Sequence, residues 1–285
     1  MRDPDDLEGF AQLCPDCLGK AGDNAFLRFR LRAALEARSA TSSEAGERPP
    51  EDPVVTPDGT DPLIAYYEAR VAEYDDWYLR RGRYEHGPIH DAAWNAELDA
   101  AGRWLDGLPI RGRIVELAAG TGWWSPLLAA KGELWLSDAA GAPLERARER
   151  LLAHGLRAHL HVRDAWLEPE SPPAPADGLF AGFWLSHVAR DRTGAFLALA
   201  ARWLAPDGRL AVIDSLPDPQ SGASDHPEPA DDRARRRLDD GREFTIPKVY
   251  RTPDEIRSAL TGAGFVDVEV TTTGRFFVLA TARRA

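Results

Sequence analysis

The chain has 285 residues and a formal net charge of -11, with 44% hydrophobic and 28% charged residues. That length suits one large domain with an appendage, or two modest domains. The excess of 46 acidic over 35 basic side chains argues against a nucleic acid or an anionic membrane surface as the main partner. No apolar run approaches the roughly 20 residues of a membrane helix, so no membrane partner is expected either.

The first sixty residues predict an appendage to the main domain. Residues 1–40 are acidic and contain one predicted helix, over residues 23–39. Residues 41–61 are rich in Ser, Thr, Glu and Pro, a composition typical of a linker. The main domain is therefore expected at residues 62–285. Because the N-terminus has no apolar segment of the secretory kind and the chain has only two cysteines, we expect a cytoplasmic protein.

The two cysteines form the motif Cys14-Pro-Asp-Cys17. A structural zinc site needs four ligands, and the chain has no second CxxC. His86 and His90 are four residues apart, but Gly87-Pro88 between them spoils a shared helix face. An ordinary turn is the favoured interpretation, with half of a metal site or a redox pair as alternatives, and no metal is expected.

Two helices are predicted before the first strand. A dense set of aromatic residues indicates a helix over 62–81, and Trp94, Leu98 and Trp104 indicate another over 89–107. Tyr67, Arg70 and Tyr74 follow one another at intervals of three or four residues, which puts them on one face of the first helix. That face either packs on a sheet or covers a ligand.

From residue 113 onward, predicted strands and helices alternate. The strands are expected at 113–118, 133–137, 158–162, 179–185 and 208–213, and the helices at 123–131, 143–154 and 193–204. Such alternation indicates a doubly wound, Rossmann-like α/β sheet, mostly parallel and covered on both faces.

The pattern changes after residue 215. An insertion rich in Pro, Asp and Arg (216–251) precedes a helix that Thr252-Pro-Asp-Glu255 should cap. Two strands, 265–271 and 275–281, then follow with a short turn at Gly274, so they must form an antiparallel C-terminal hairpin. Within the insertion, the basic segment 231–237 is flanked by acids, which favours a solvated, self-paired helix face over a nucleic-acid contact.

A glycine turn and two acids point to a ligand site. The strand at 113–118 runs into Ala119-Gly-Thr-Gly122, where glycine allows a sharp turn and close approach of the backbone to a ligand. The next strand ends at Asp138, where an acid could hold a ribose diol, and Asp164 follows the third strand. Each acid alone could equally be a helix cap or a solvated loop residue. Together they would line the crevice at the carboxyl ends of the strands.

At these residues the chain resembles the class I S-adenosylmethionine-dependent methyltransferases, over roughly residues 62–285. The resemblance is carried by Val115-Glu-Leu-Ala-Ala-Gly-Thr-Gly122, Asp138, Asp164-Ala165 and Phe183-Trp-Leu-Ser-His187. It implies S-adenosylmethionine as cofactor and S-adenosylhomocysteine as product.

The resemblance also implies which residues bind the cofactor. They are Tyr67, Arg70, Tyr74, Glu116, Ala118, Gly120, Thr121, Gly122, Asp138, Ala139, Asp164, Ala165, Trp166 and Phe183. By this resemblance Gly120 and Gly122 face the amino-acid part of the cofactor, and Glu116 orients the loop or binds the ammonium through water. Asp138 holds the ribose hydroxyls and Asp164 the adenine amino group, while the adenine ring lies between Ala139, Ala165 and Trp166. Tyr67, Arg70 and Tyr74 cover the methionine carboxylate.

The main rival is a nicotinamide or flavin dehydrogenase. Its fingerprint requires a third glycine for close packing of helix on strand. Here Gly122 is followed by Trp123, Trp124 and Ser125. The absence of that glycine favours a cofactor without a pyrophosphate.

The predicted function is methyl transfer to an O or N nucleophile of a small molecule. His187 is the candidate general base because histidine can exchange a proton near neutrality, and the alternative is a histidine that is only hydrogen-bonded in the crevice.

The resemblance also implies that the insertion forms a wall of the substrate site. Its candidate substrate-binding residues, chosen by position alone, are Arg242, Phe244, Lys248 and Tyr250. Other possible functions are a different cofactor-dependent reaction such as cyclisation, and a catalytically silent domain that docks a partner through its acidic N-terminal segment. The oligomeric state is not predicted.

Overall fold

The computed structural model describes residues 61–285. The helix predicted at 23–39, the Cys14–Cys17 motif and the linker before residue 61 lie outside the described residues. None of the described helices has the length and apolar character needed to span a membrane.

Seven α-helices and nine strands are described between residues 61 and 285. The helices are α1 (Pro62–Ala69), α2 (Asp76–Leu79), α3 (Pro88–Gly107), α4 (Ser125–Ala129), α5 (Gly141–Ala153), α6 (Thr193–Trp203) and α7 (Pro253–Gly262). The strands are β1 (Gly112–Leu117), β2 (Gly132–Asp138), β3 (His159–Val162), β4 (Ala176–Gly182), β5 (Leu204–Ser215), β6 (Arg233–Arg237), β7 (Glu243–Pro247), β8 (Phe265–Thr272) and β9 (Phe277–Arg284).

Seven strands form one sheet in the order β3-β2-β1-β4-β5-β9-β8. Strands β1 to β5 pair in parallel, whereas β9 runs antiparallel to both of its neighbours. The predicted doubly wound sheet with an antiparallel C-terminal hairpin is thereby confirmed. The chain order reverses between β1 and β4, so a crevice opens there at the carboxyl ends of the strands.

Helices flank the sheet as its parallel strands require. One apolar core joins α6 and α7 to β1, β4, β5 and β9, and includes Val115 and Leu117. Their neighbours in the strand, Ile114 and Glu116, point the other way because side chains alternate along β1. Helices α3, α4 and α5 pack against β9, β2 and β3.

Helix α7 is capped as its sequence predicts. The Thr252 side chain accepts a hydrogen bond from the Glu255 amide, and the Glu255 carboxylate accepts one from the Thr252 amide. Local chemistry alone sets this helix start.

The prediction of a single helix over 62–81 is wrong. The helix ends after Ala69, the chain turns, and only Asp76–Leu79 is helical again. The physical reason is that the aromatic residues pack against different partners. Tyr66 packs beside Phe244 of β7, with ring centroids 5.5 Å apart, whereas Tyr78 stacks on Trp123 at 4.2 Å. A straight helix cannot present both rings to these two partners.

The insertion also differs from the prediction. Its basic segment 231–237 is not a helix, because residues 233–237 form β6, paired antiparallel with β7. Ala234 and Ile246 of this hairpin are buried against Leu63 and Tyr66 of α1. The hairpin is therefore a wall that packs on α1 and whose last residue, Pro247, contacts His187 after β4.

Candidate active site

Two residues at the crevice have unusual backbone conformations. Ala118 directly follows β1 with φ of 51°, and Phe183 directly follows β4 with φ of 58°. Residues other than glycine rarely adopt this left-handed backbone conformation, because it costs roughly 1–2 kcal/mol. Both residues stand at the carboxyl ends of the central strands, and strained backbone of this kind concentrates at functional sites.

A cleft of about 1030 Å³, here called the first cleft, opens at this edge. Its lining residues are Asp61, Leu63, Ile64, Tyr67, Tyr74, Ala118, Asp138, Ala139, Ala140, Asp164, Ala165, Trp166, Gly182, Phe183, Trp184, His187, Ala189, Arg192 and Pro247. Three carboxylates, those of Asp61, Asp138 and Asp164, thus share the cleft with aromatic and small apolar side chains.

Asp138 is held by the backbone at the end of β2. Its two oxygens accept hydrogen bonds of 2.8 Å from the amides of Gly120 and Ala140. Burial raises the pKa of this carboxyl to about 6, although these amide hydrogen bonds act against the rise. Asp138 therefore links the glycine turn to the start of α5 and keeps a carboxylate facing the cleft.

Asp164 and Trp166 also line the first cleft. The Asp164 carboxylate accepts a hydrogen bond of 2.9 Å from the Trp166 amide. The guanidinium of Arg192 lies 3.8 Å from the centre of the Trp166 ring. A flat aromatic surface with an acid beside it suits a purine ring that carries an amino group.

Both glycines of the turn are needed for close packing. Gly120 has φ of 54°, and a Cβ there would meet the Tyr74 hydroxyl at 2.3 Å. Gly122 has φ of 69°, and its Cβ would lie 2.7 Å from Ala147 of α5. Thus Gly120 permits Tyr74 to approach the turn, and Gly122 permits α5 to do so.

Hydrogen bonds and an ion pair hold the residues in and next to the turn. Glu116 is buried and accepts a 2.6 Å hydrogen bond from the Ser125 hydroxyl at the start of α4. Burial raises its pKa to about 8, against the effects of Ser125 and Arg150. Thr121 donates a 2.6 Å hydrogen bond to Asp75, and Arg150 is paired with Asp75 as well.

A second cleft, of about 650 Å³, adjoins the first. It is lined by Tyr66, Tyr67, Arg70, Tyr74, Trp77, Tyr78, Tyr84, Phe183, His187, Ser215, Ser221, Gly222, His226, Arg236, Ile246, Lys248 and Tyr250. The two clefts share Tyr67, Tyr74, Phe183 and His187. These four side chains form the boundary at which the contents of the two clefts would meet.

His187 and Tyr67 form a hydrogen-bonded pair at this boundary. His187 Nδ1 lies 2.7 Å from the Pro247 carbonyl, and Nε2 lies 2.8 Å from the Tyr67 hydroxyl. Because a carbonyl only accepts, Nδ1 carries the proton, and Nε2 of the neutral ring accepts from Tyr67. Burial lowers the pKa of His187 to about 3, and the positive charge of Lys248 contributes. This shift argues against the titration near neutrality that the sequence predicts for His187.

The structure brings most of the predicted site residues together. Those lining the first cleft are Tyr67, Tyr74, Ala118, Asp138, Ala139, Asp164, Ala165, Trp166, Phe183 and His187. Arg70 lines the second cleft instead. Glu116, Gly120, Thr121 and Gly122 line neither cleft and shape the turn that supports the first.

Of the substrate candidates in the insertion, Lys248 and Tyr250 line the second cleft. Phe244 packs on Tyr66, and Arg242 pairs with Asp240. Sequence reasoning missed Arg192 and Arg236. Arg192 carries no local signal, and Arg236 belongs to a segment interpreted as a solvated helix.

The first cleft fits S-adenosylmethionine by its chemistry. Asp138 offers a carboxylate to a diol, Asp164 offers one beside the face of Trp166, and Tyr67 and Tyr74 offer aromatic faces to a sulfonium cation. Within residues 61–285, no cluster of three or more His, Cys, Asp and Glu side chains is placed to hold a metal ion.

Comparison with known proteins identifies a methyltransferase domain in the chain. A family model described as a methyltransferase domain matches residues 114–208. The structure of the DhpI-SAM-HEP complex is 30% identical to this chain with a TM-score of 0.61, covering 81% of this chain and 100% of that one. The DhpI-SAH complex is 29% identical with a TM-score of 0.60, covering 79% and 96%.

A more distant structure shares the fold. The Burkholderia thailandensis 1,6-didemethyltoxoflavin-N1-methyltransferase, with bound 1,6-didemethyltoxoflavin and S-adenosylhomocysteine, is 18% identical with a TM-score of 0.50, covering 83% of this chain and 94% of that one. A search of curated proteins finds no match.

A doubly wound sheet with an acid-lined cleft at its switch point defines a protein that binds a nucleoside-type cofactor. The chain belongs to the class I S-adenosylmethionine-dependent methyltransferases. Its cofactor is S-adenosylmethionine, and its reaction is methyl transfer.

Proposed function

We propose that this enzyme transfers the methyl group to an O or N nucleophile of a small molecule. The observation that carries the proposal is the meeting of two clefts at the Tyr67–His187 pair. One cleft suits the cofactor, and the other adjoins it across these two side chains, where an acceptor would meet the methyl group.

The cofactor is assigned to the first cleft. Asp138 binds the ribose hydroxyls, and Asp164 binds the adenine amino group beside Trp166. Tyr67 and Tyr74 cover the methionine end, above the turn that Gly120 and Gly122 shape. The proposal is supported by the two carboxylates, which lie at the ends of neighbouring strands.

When bound, S-adenosylmethionine supplies a methyl group on a positively charged sulfur, which remains as a neutral thioether after transfer. The protein's own contribution is to hold the acceptor in line and to exclude water. Phe183, Tyr67 and Tyr74 form an aromatic boundary that serves both purposes. His187 Nε2 can accept a hydrogen bond from a hydroxyl or amine of the acceptor once its bond from Tyr67 is exchanged; with a pKa of about 3 the ring is a weak base.

Two experiments test this assignment. Calorimetric titration should show binding of S-adenosylmethionine and S-adenosylhomocysteine and no binding of NAD. Tight NAD binding without a response to S-adenosylhomocysteine would overturn the cofactor site. Incubation of candidate acceptors with isotopically labelled cofactor, followed by mass spectrometry, should give a labelled O- or N-methyl product. Label appearing only in macromolecular fractions would contradict a small-molecule acceptor.

A further inference from the structure

We propose that the acceptor carries an oxyanion, a carboxylate or a phosphate-type group, and that Arg236 and Lys248 of the second cleft bind it. The inference deepens the proposed function, because it gives the chemical class of the acceptor for the same reaction. The inference rests on the basic side chains that line the second cleft and on how few of them pair with a carboxylate.

The second cleft is lined by three basic side chains and by no carboxylate among the residues described. The cations are Arg70 of the segment after α1, Arg236 of β6 and Lys248 after β7. They are close enough that Arg70 and Arg236 both lower the pKa of Lys248. In a chain of net charge -11, this concentration of positive charge is local, and it suits a negative ligand.

Arg236 points into the cleft because of strand alternation. Along β6, Ala234 and Arg236 share one side, and Ala234 is fully buried against α1. Arg235 points the other way, is exposed, and approaches Glu243 at 3.5 Å. Arg236 has no acidic partner within ion-pair distance in the described part of the chain, and its Nη1 donates a hydrogen bond to the Arg235 carbonyl at 3.2 Å.

Lys248 is surrounded mainly by neutral groups. Its ammonium donates hydrogen bonds to the hydroxyls of Ser186 and Ser215 at 3.0 and 3.2 Å, and lies 5.3 Å from the Tyr250 ring centre. Asp214 is the carboxylate that acts on Lys248 electrostatically. The Asp214 oxygens, however, accept the amides of Ser186 and Ser215 at 2.7 Å each. An oxyanion would complete the charge balance of the ammonium.

Arg70 adds positive charge from the other side of the cleft. Its guanidinium carbon lies 5.6, 5.0 and 5.8 Å from the ring centres of Tyr66, Tyr74 and Tyr84. Its Nη2 donates to the Tyr84 hydroxyl at 3.3 Å, and its buried Nε has no hydrogen-bond partner among residues 61–285. A buried donor without a protein partner is a group that a bound ligand can satisfy.

Anion binding can be measured without turnover, which separates this inference from the proposed function. The enzyme saturated with S-adenosylhomocysteine is titrated with inorganic phosphate and, separately, with acetate, at an ionic strength held constant with chloride, while Tm is followed. Phosphate, acetate or both should raise Tm above the chloride control. The more effective ion tells phosphate-type from carboxylate acceptors. Equal effects of all three ions would overturn the inference.

Variants locate the binding. Arg236→Gln and Lys248→Met should each weaken the stabilising ion's apparent affinity roughly 10- to 100-fold, the effect of removing a hydrogen bond to a charged group. Arg235→Gln on the same strand removes the same charge outside the cleft and should leave the affinity within twofold. Lys248→Arg should restore most of what Lys248→Met loses. The Kd of S-adenosylhomocysteine, unchanged in all four, verifies that each variant folds.

Methylation kinetics provide a second test. Acceptor candidates are screened as matched pairs: a carboxylic acid with its amide, and a phosphate monoester with its free alcohol. The anionic member should be methylated, and Arg236→Gln should raise its KM while kcat changes little. Efficient methylation of the neutral members, with Arg236→Gln silent, would contradict the inference even though methyl transfer itself had been demonstrated.

Discussion

At the scale of single residues, Asp138 connects cofactor binding to the fold. Its carboxylate accepts the Gly120 and Ala140 amides and faces the first cleft. The side chain thus fixes the turn that it shares with the proposed ribose site. Asn at this position keeps the shape but loses the negative charge, and Ala loses both.

We expect Asp138→Ala to weaken S-adenosylhomocysteine binding by about 1–3 kcal/mol, because ribose hydroxyls would lose their partner in a partly desolvated site. Asp138→Asn should lose less. Since the pKa of Asp138 is about 6, the wild-type affinity should also fall as pH decreases through 6, when the carboxylate becomes protonated. Isothermal titration between pH 5 and 8 measures both effects, and a pH-independent affinity equal in all three proteins would place the acid elsewhere.

His187 has a defined tautomer and a low basicity. With the Nδ1 proton held by the Pro247 carbonyl, only Nε2 can receive a proton. If it does so in the reaction, His187→Ala should lower kcat roughly 10²- to 10⁴-fold and leave the Kd of S-adenosylhomocysteine nearly unchanged. A kcat within a few-fold of wild type would leave positioning of the reactants as the main source of rate.

In the second cleft, the group expected to make the reaction pH-dependent is Lys248, whereas Asp138 acts through cofactor binding. Burial lowers its pKa to about 8; Arg236 and Arg70 contribute to this, and Asp214 opposes it. His187, which also faces the second cleft, is neutral above about pH 3. For an anionic acceptor, kcat/KM should therefore fall as pH rises through 8, when the ammonium loses its proton. In Lys248→Arg, whose guanidinium stays charged, that fall should disappear from profiles measured up to pH 10.

At the scale of elements, the segment between α1 and α2 anchors the glycine turn. Asp75 lies in this segment, accepts the Thr121 hydroxyl at 2.6 Å and pairs with Arg150 of α5. The interruption of the predicted helix is what brings Asp75 to this position. The Asp75 carboxylate thereby joins the segment between α1 and α2 to the glycine turn and to α5.

Asp75→Ala should destabilise the fold by about 1–3 kcal/mol, because it leaves Thr121 and Arg150 without a shared, partly buried partner. It should also weaken cofactor binding, since the turn loses a support. Asp76→Ala serves as the matched control, because Asp76 approaches only Arg81, at 3.9 Å, among the ion pairs of the described residues. Urea unfolding compares the free energies of unfolding, and equal values for both variants would refute the anchoring role.

At the scale of the whole molecule, all residues that line the two clefts lie between residues 61 and 285. The domain boundary near residue 62 remains a prediction from composition. Removal of residues 1–55 should therefore leave a domain that unfolds cooperatively and still binds S-adenosylhomocysteine. Differential scanning calorimetry and titration measure this, and loss of the cooperative transition would show that the leading segment belongs to the core.

Much of the sheet could be predicted from the sequence because its signals are local. Short buried strands such as Gly112–Leu117 alternate with amphipathic helices, and Thr252 with Glu255 forms the expected capping box. The β6–β7 hairpin was missed because β6 reads Arg-Ala-Arg-Arg-Arg, with only Ala234 to mark a buried side. Its burial depends on the surface of α1, which is far from it in sequence.

The sequence by itself determined the doubly wound sheet, the glycine turn and the acids Asp138 and Asp164, because each follows from residues adjacent in the chain. Only the tertiary structure decided the chemistry at the boundary of the clefts. His187 owes its lowered pKa to burial and to Lys248, 61 positions away, and the second cleft owes its charge to Arg70, Arg236 and Lys248 from three separate segments. Desolvation and through-space charge act over distances that sequence order does not encode.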